Sequence, residues 1–407
     1  MLRKCHYLSF AATIALFACG TPFENEEKDA GSGKTARPGM QDNDAGLQND
    51  AGSDSDTDSD HDAGKDGGGD ADADSDTDTD TDTDSDVPYP DPNRYHWDGS
   101  ENPFFEGWYY KVTDPEKMRS FFFIYSVQNP GAPLHPSSGG FLYIERDDGD
   151  YEFYLLPLED FSASRQKCDV VIGESTATEK RISGYVPSPD GDISWNLDID
   201  IMSEWGKTMG ALTNVPGIPV NWYVNALKSR VTGSIDWRGE VYELEDAPGY
   251  NDHNWGPVFP EAWLWIQANG FEDETEAIAF AGGPVPLGPV DPSGYMLAFK
   301  SRNRLYEFRT QDLTATFDVE HNYLLGQVQV IATKGNDRVV FKIDSDPDYL
   351  REVLIPTTQG MVKGGYEAFF GTFTVNLWKR GVADWNLVSH SESQIGVVEF
   401  GGSYAGF

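Results

Sequence analysis

The sequence predicts a mainly β protein, an antiparallel barrel or sandwich, preceded by a long polar segment. After residue 87, apolar and polar side chains alternate in many short stretches, with turn signals roughly every 8–12 residues. In “DISWNLDIDI” (192–201), for example, Ile193, Trp195 and Leu197 point one way and the intervening polar residues the other. Helix signals are weak, and “PDYLREVLI” (347–355) is the best short candidate.

The first residues predict an export signal with a lipid anchor. Arg3 and Lys4 form a short basic region, and the apolar stretch after them is too short to span a bilayer. That stretch ends in “LFAC”, which resembles a bacterial lipobox and predicts a signal peptide at 1–18 and lipidation of Cys19. An ordinary signal peptide with an accidental cysteine is the alternative. We expect a lipid-anchored protein of the cell envelope. Gly20 stands where an inner-membrane retention signal would place aspartate, which favours the outer membrane.

Residues 19–87 predict a disordered linker that is rich in Asp, Gly, Ser and Thr. The segment has almost no apolar side chains whose burial could offset the loss of chain entropy. Asp58, Asp60 and Asp62 alternate as in a calcium-binding loop, but Ala63 stands where that loop needs glycine. We therefore expect a solvated, self-repelling spacer.

Charge and cysteine content exclude several classes of function. The net charge is −38 at pH 7, and the part after residue 87 remains acidic, which disfavours nucleic acid and anionic lipid as partners. Neutral or apolar ligands remain open. Cys5 leaves with the signal peptide and Cys19 carries lipid, so Cys168 stands alone and the mature chain has no disulfide. The sequence also lacks the motifs of phosphate-binding loops, dinucleotide sites, zinc proteases and serine hydrolases.

The part after residue 87 is too long for one small barrel and suits two. We place an N-terminal β domain at 88–250 and a C-terminal β domain at 251–407, because “DAPGYNDHN” interrupts the strand pattern. The histidines are scattered, so the sequence predicts no metal site, although His96, His135 and His253 could converge in space.

The stretch “NPFFEGWYYKV” (102–112) places one acid among aromatic side chains. As a strand it puts Glu106, Trp108 and Tyr110 on one face. A carboxyl group on an aromatic face is desolvated, which raises its pKa and lets it act as an acid near neutral pH. The alternative is a structural acid that pairs with an arginine or accepts backbone N–H groups. The stretch by itself favours the structural role.

A second stretch, “YNDHNWGPVFPEAWLWIQANGF” (250–271), combines polar and aromatic side chains. Asp252, His253 and Asn254 run directly into Trp255. One face of the following strand carries Trp263, Trp265, Gln267 and Asn269. Such a face suits a pocket that holds a flat or polyene-like ligand with a few polar contacts. Alternatively, the tryptophans pack between two barrels and the amides cap loops.

Three segments carry a resemblance to a known family. In chain order they are “YHWDGSENPFFEGWYYKV” (95–112), “FFFIYSVQNP” (121–130) and “HNWGPVFPEAWLWIQAN” (253–269). Together they resemble the tocopherol cyclase family, part of a double lipocalin-like superfamily that also contains carotenoid hydratases. The resemblance extends over about residues 93–407 and implies two lipocalin-like antiparallel β-barrel or sandwich domains.

The resemblance also implies a cofactor-free cyclisation of a prenylated benzoquinol. An acid protonates the alkene nearest the ring, and the phenolic oxygen closes on the tertiary cation to give a chromanol. On the matching positions it implies Glu106 or Asp252 as general acid, with His253 assisting proton transfer. The positions that would line the substrate or orient the phenol are Trp108, Tyr110, Asn254, Trp255, Trp263, Trp265 and Gln267.

Two other functions remain open. “DHNWG” is closer to the hydratase branch, in which water captures the cation formed on a polyene. A non-catalytic carrier or sensor would use the same pocket without proton chemistry. The expected partners are a hydrophobic prenylated or polyene molecule and, through Cys19, a membrane, with no nucleic acid. A Glu106 or Asp252 that faces the tryptophan-lined pocket would favour an enzyme.

Overall fold

The computed structural model of the chain describes residues 91–285 and 292–407. The predicted signal peptide, Cys19 and the predicted linker lie outside these residues. The described residues are mostly β-strand, which confirms the predicted fold class, and no helix among them is long and apolar enough to cross a membrane. In the described part of the chain, four short 3-10 helices occupy Leu158–Asp160, Gly210–Leu212, Tyr323–Leu325 and Pro347–Tyr349.

The first sheet contains eleven strands in the spatial order β4-β3-β2-β1-β11-β10-β9-β8-β7-β6-β5. Their bounds are β1 Phe105–Asp114, β2 Arg119–Gln128, β3 Gly139–Arg146, β4 Tyr151–Leu156, β5 Phe161–Ala163, β6 Asp169–Ile172, β7 Ser175–Thr178, β8 Arg181–Val186, β9 Ile193–Ser203, β10 Asn221–Trp237 and β11 Glu240–Gly256. Neighbouring strands are antiparallel, and β1, the first strand, pairs with β11, the last.

The first sheet curls back on itself like a barrel. Gly140 in β3 lies so close to β5 that a Cβ atom there would come within 2.9 Å of Phe161 Cβ. Only glycine therefore fits at this closure. The concave side holds a core in which large aromatic side chains predominate, among them Trp108, Phe121, Tyr125, Trp195, Trp237 and Trp255.

The remaining strands form two sheets that pack face to face. The seven-stranded sheet has the order β15-β14-β13-β12-β23-β20-β19, and the five-stranded sheet has the order β16-β17-β18-β21-β22. Their bounds are β12 Ala262–Ala268, β13 Ala277–Pro284, β14 Ser293–Ser301, β15 Arg304–Arg309, β16 Ala315–Asn322, β17 Gln327–Lys334, β18 Asp337–Asp344, β19 Arg351–Thr357, β20 Gly360–Ala368, β21 Thr372–Arg380, β22 Trp385–Ser393 and β23 Val397–Gly402. Their shared core includes Leu264, Ile266, Phe280, Phe299, Val330, Phe341 and Phe373.

Two details differ from the expectations. The boundary predicted after residue 250 falls inside β11, and the change from the first sheet to the second comes between Gly256 and Ala262. The Pro-Gly and Asn-Asp pairs that suggested a break are accommodated by bulges between β10 and β11. The helix predicted at 347–355 is wrong, because after one 3-10 turn Arg351–Thr357 pairs with β20 instead.

A third apolar cluster joins the first sheet to the seven-stranded sheet. Trp222 and Tyr250 come from the convex side of the first sheet, whereas Trp263 and Trp265 come from β12. We call this region the intersheet layer. Strands β1 and β11 therefore have one face inside the first barrel and the other face against the seven-stranded sheet, in the intersheet layer.

Candidate active site

The two chemistry-bearing stretches meet as neighbouring strands. In the β1–β11 pairing, Trp108 lies opposite His253, Tyr109 opposite Asp252, and Glu106 opposite Trp255. Side chains alternate along a strand, and directly opposed residues share a face. Asp252 and His253 therefore point to opposite sides of the sheet. The predicted site residues separate into two groups.

The first group surrounds Glu106 inside the first barrel. Glu106 Oε1 lies 2.9 Å from His253 Nε2 and 3.0 Å from His96 Nδ1. The backbone N–H of His96 donates to both carboxyl oxygens at 2.9 Å, and the backbone N–H of Trp97 donates to Oε2 at 3.4 Å. We call Glu106, His96 and His253 the Glu106 cluster. It ties the chain before β1 to β1 and β11.

Aromatic rings pack around the Glu106 cluster, in which Glu106 and His253 are fully buried. Trp255 stacks on His96 at 3.7 Å between ring centroids, and Trp108 stacks on His253 at 4.6 Å. Burial raises the pKa of Glu106 well above its usual range, against the opposing effect of the two backbone donors. Burial lowers the pKa of His96 to about 3 and that of His253 well below its usual range. Both imidazoles are therefore neutral at physiological pH.

Three potential metal-ligand atoms converge in the Glu106 cluster, within 4.8 Å of one another. Their separations from Glu106 are ordinary hydrogen-bond lengths, and both carboxyl oxygens already accept backbone N–H groups. We interpret the cluster as a hydrogen-bonded network. Of the three histidines that could have converged, His135 lies elsewhere and bonds Ser137.

The second group surrounds Asp252 in the intersheet layer. Trp222 Nε1 donates to Asp252 Oδ2 at 2.8 Å, and the Tyr250 hydroxyl donates to the same oxygen at 3.0 Å. Asn254 Nδ2 lies 3.4 Å from the other oxygen, Oδ1. Burial raises the pKa of Asp252 to about 6, although the indole and phenol donors favour its charged form. The carboxyl can therefore be protonated near neutral pH.

The predicted face of β12 lies in the same layer. Trp265 packs edge-on against Tyr250 and Tyr109, at centroid distances of 5.6 and 5.5 Å. Gln267 is fully buried. Neither amide atom of Gln267 has a hydrogen-bond partner among the described residues, whereas the Trp265 indole favours the charged form of Asp252. Buried polar atoms normally have partners, so the Gln267 amide is free to bond a ligand or water in the layer.

Several residues of the intersheet layer keep partial exposure although they lie between two sheets. Tyr109 and Asn254 on the first sheet and Glu399 on the second are each partly exposed. These partly exposed residues adjoin Asp252, which is itself buried. A separate surface cavity of about 370 Å³ is lined by Pro133, Ser138 and residues 155–159 and touches none of the predicted site residues.

The structure thus divides the predicted site. It brings Asp252 and Asn254 together with the β12 face, Trp263, Trp265 and Gln267. It places the remaining predicted site residues inside the first barrel: Glu106, Trp108, Tyr110, His253 and Trp255. The Tyr110 hydroxyl donates to the backbone carbonyl of Thr178.

Some residues of the site are not indicated by the sequence pattern. The sequence offers His96 only as a possible metal ligand and gives Trp222 no role. His96 precedes β1 in a stretch without strand periodicity, so nothing local indicated its contact with Glu106. Trp222 begins β10, and its approach to Asp252 depends on the pairing of β10 with β11.

A family model described as tocopherol cyclase-like matches residues 102–190 and 175–402, which is most of the chain. The chain belongs to the tocopherol cyclase-like family. Among curated proteins it is similar to a probable chloroplastic tocopherol cyclase of Oryza sativa subsp. japonica, with 25% identity over 378 residues, 76% of this chain and 77% of the rice protein. It is also similar to the chloroplastic tocopherol cyclase of Zea mays, with 24% identity over 368 residues and the same shares of both chains.

Solved structures of other proteins resemble this tocopherol cyclase-like chain more distantly. CghA with Sch210972 aligns with a TM-score of 0.49 and 11% identity, covering 74% of this chain and 88% of CghA. Kievitone hydratase from Nectria haematococca aligns with a TM-score of 0.43 and 11% identity, covering 73% and 89%.

Proposed function

We propose that this tocopherol cyclase-like protein is a cofactor-free enzyme that protonates an alkene of a prenylated benzoquinol and closes a chromanol ring. The observation that carries the proposal is the position of Asp252. This carboxyl lies in the intersheet layer, beside aromatic rings and unpartnered polar groups, and burial brings its pKa to about 6. An acid for this step must be protonated yet strong enough to donate.

Asp252, rather than Glu106, is the proposed general acid. Glu106 faces the interior of the first barrel, away from the intersheet layer, and both of its oxygens are bonded within the Glu106 cluster. The neutral imidazole of His253 lies on the same side of the sheet, inside the first barrel. We therefore assign the Glu106 cluster a positioning role, since it fixes β1 against β11 and so sets Tyr109 beside Asp252.

The aromatic side chains around Asp252 suit a carbocation. Tyr109, Tyr250 and Trp265 present rings to the layer, and a ring face stabilises a nearby cation by about 2 kcal/mol when water is excluded. The prenyl tail would add roughly 0.8 kcal/mol for each methylene that it buries. Gln267 supplies polar atoms that could orient the ring oxygens.

The predicted lipid on Cys19 fits such a substrate. Prenylated quinols partition into membranes, so a protein anchored at the cell envelope would meet them there. The membrane anchor and the hydrophobic small-molecule partner are parts of the same proposal.

The purified protein incubated with a prenylated benzoquinol in deuterated water tests the proposal. We expect a chromanol with one deuterium at ring position 3, the carbon that the acid protonates. Asp252→Asn should lower the rate at least about 100-fold. A hydrated, uncyclised product would instead indicate hydratase chemistry, and binding without any product would indicate a carrier.

A further inference from the structure

A second pair of acids faces the intersheet layer from the seven-stranded sheet. Glu399 in β23 lies opposite Trp265 of β12 on one side and opposite Glu367 of β20 on the other. Opposed residues share a face of the sheet, so both carboxyl groups project on the side that carries Trp265. Asp252 approaches this face from the first sheet. The layer therefore has acids on both of its walls.

Glu399 is held in place but not closed off. Trp263 Nε1 donates to Glu399 Oε1 at 2.8 Å, which fixes the carboxyl group. Glu399 nevertheless stays partly exposed, whereas Glu367 is only 3% exposed and accepts a 3.4 Å hydrogen bond from the Tyr109 hydroxyl. Of the two acids, Glu399 is therefore the one that a ligand in the layer can reach.

The charged and titratable groups around Glu399 come from several strands. Asp252 faces it from β11 and Glu367 from β20, while Lys111, Tyr109 and Glu145 surround Glu367. Burial raises the pKa of Glu399 to about 7, the Trp263 donor opposes this, and the Asp252 charge adds to it. Burial and the charge of Glu399 raise the pKa of Glu367 well above its usual range. Glu399 can thus be ionised near neutral pH while Glu367 holds a proton. Because the pKa of Asp252 is lower than that of Glu399, the reactive form, with Asp252 protonated and Glu399 ionised, is a minority of the protein.

We propose that Glu399 is the base of the reaction, accepting the proton of the substrate hydroxyl as its oxygen bonds to the carbocation. The inference rests on the proposed function. Asp252 loses its proton as a C–H bond forms and the alkene π pair is consumed. The hydroxyl O–H bond then breaks as the C–O bond forms, and its proton passes to Glu399. Exchange with water reprotonates Asp252 and deprotonates Glu399 after release.

Binding of an unreactive ligand tests this assignment without turnover. The probe is the benzoquinol whose prenyl chain is saturated, titrated into the full-length protein between pH 5 and pH 9. If its hydroxyl donates to the Glu399 carboxylate, affinity should fall about tenfold as pH drops through about 7. Glu399→Gln should bind about tenfold more weakly at pH 8 and lose this pH dependence. The matched control is Glu276→Gln, which changes a buried acid bonded to Ser301 and outside the layer.

Turnover of the unsaturated benzoquinol gives the second readout. Glu399→Gln should still take deuterium from solvent but divert the cation to labelled, uncyclised alkene isomers. The rate of this variant should no longer fall as pH drops below about 7. Trp263→Phe removes the donor to Glu399 and should move that acidic limb to higher pH.

The two proposals fail in different ways. If the wild type cyclises and Glu399→Gln matches it in rate, product ratio and binding, the role of Glu399 is wrong and the cyclase proposal stands. If the saturated probe binds with the expected dependence on Glu399 but the wild type forms no product, the cyclase proposal is wrong and Glu399 only orients a hydroxyl. If the probe does not bind the wild type and the wild type forms no product, both are overturned.

Discussion

Asp252 and His253 are consecutive in β11 and face different compartments. Asp252 accepts hydrogen bonds from Trp222 and Tyr250 in the intersheet layer, whereas His253 bonds Glu106 inside the first barrel. One strand thus carries the proposed acid on one face and the cluster that fixes its position on the other. Substitutions at these adjacent positions should have different consequences.

Asp252→Asn should stabilise the protein at neutral pH. Burial raises the pKa of Asp252 to about 6, above the value of about 4 for an unfolded chain. The stability that depends on this group is therefore fully present below about pH 4 and is lost as pH rises through about 6. Relative to the wild type, the variant should gain about 2–3 kcal/mol in unfolding free energy between pH 4 and pH 8. Urea denaturation at several pH values measures this difference, and a constant difference would contradict the raised pKa.

Much of the fold and part of the site could be predicted from periodicity. β9 begins at Ile193 as the alternation indicated, and Trp263, Trp265 and Gln267 share the predicted face. A local pattern gives the face of each residue within its strand. It does not show which strands pair. The position of Glu399 in the intersheet layer could not be predicted, because it depends on the pairing of β23 with β12 and β20. The assignment of residues 246–254 to a break also concealed the alternation of Asp252 and His253.

Trp205→Ala should lower the pKa of Asp252. Trp205 lies in the segment between β9 and β10 and packs edge-on against Trp222, the indole that donates to Asp252, at 5.3 Å. Removing this ring would admit water and weaken the desolvation that raises the pKa. We expect the alkaline limb of the rate profile to move toward lower pH by up to about one unit. Trp385→Ala, in the five-stranded sheet, is the control and should leave the limb in place.

Cys19→Ser should release the protein from membranes. The lipobox-like “LFAC” predicts that Cys19 is acylated after signal cleavage, and two or more acyl chains are needed for a stable anchor. The expected result is loss of the lipid mass from the mature protein and its transfer from the membrane fraction to the soluble fraction. Cys5→Ser lies within the predicted signal peptide and should change neither result.

Glu106→Ala should destabilise the protein strongly, while Glu106→Gln should not. The alanine variant leaves the ring nitrogens of His96 and His253 and two backbone N–H groups without their acceptor in a dry interior, at a cost of about 3 kcal/mol or more. Glutamine keeps an acceptor oxygen for the backbone donors and should cost about 1 kcal/mol. Urea denaturation measures both variants, and the rate for each folded protein is measured in parallel.

If Glu106 only positions β1 and β11, Glu106→Gln should retain turnover within a few-fold of the wild type. A stable Glu106→Gln protein without turnover would instead make Glu106 the proton donor and remove that role from Asp252.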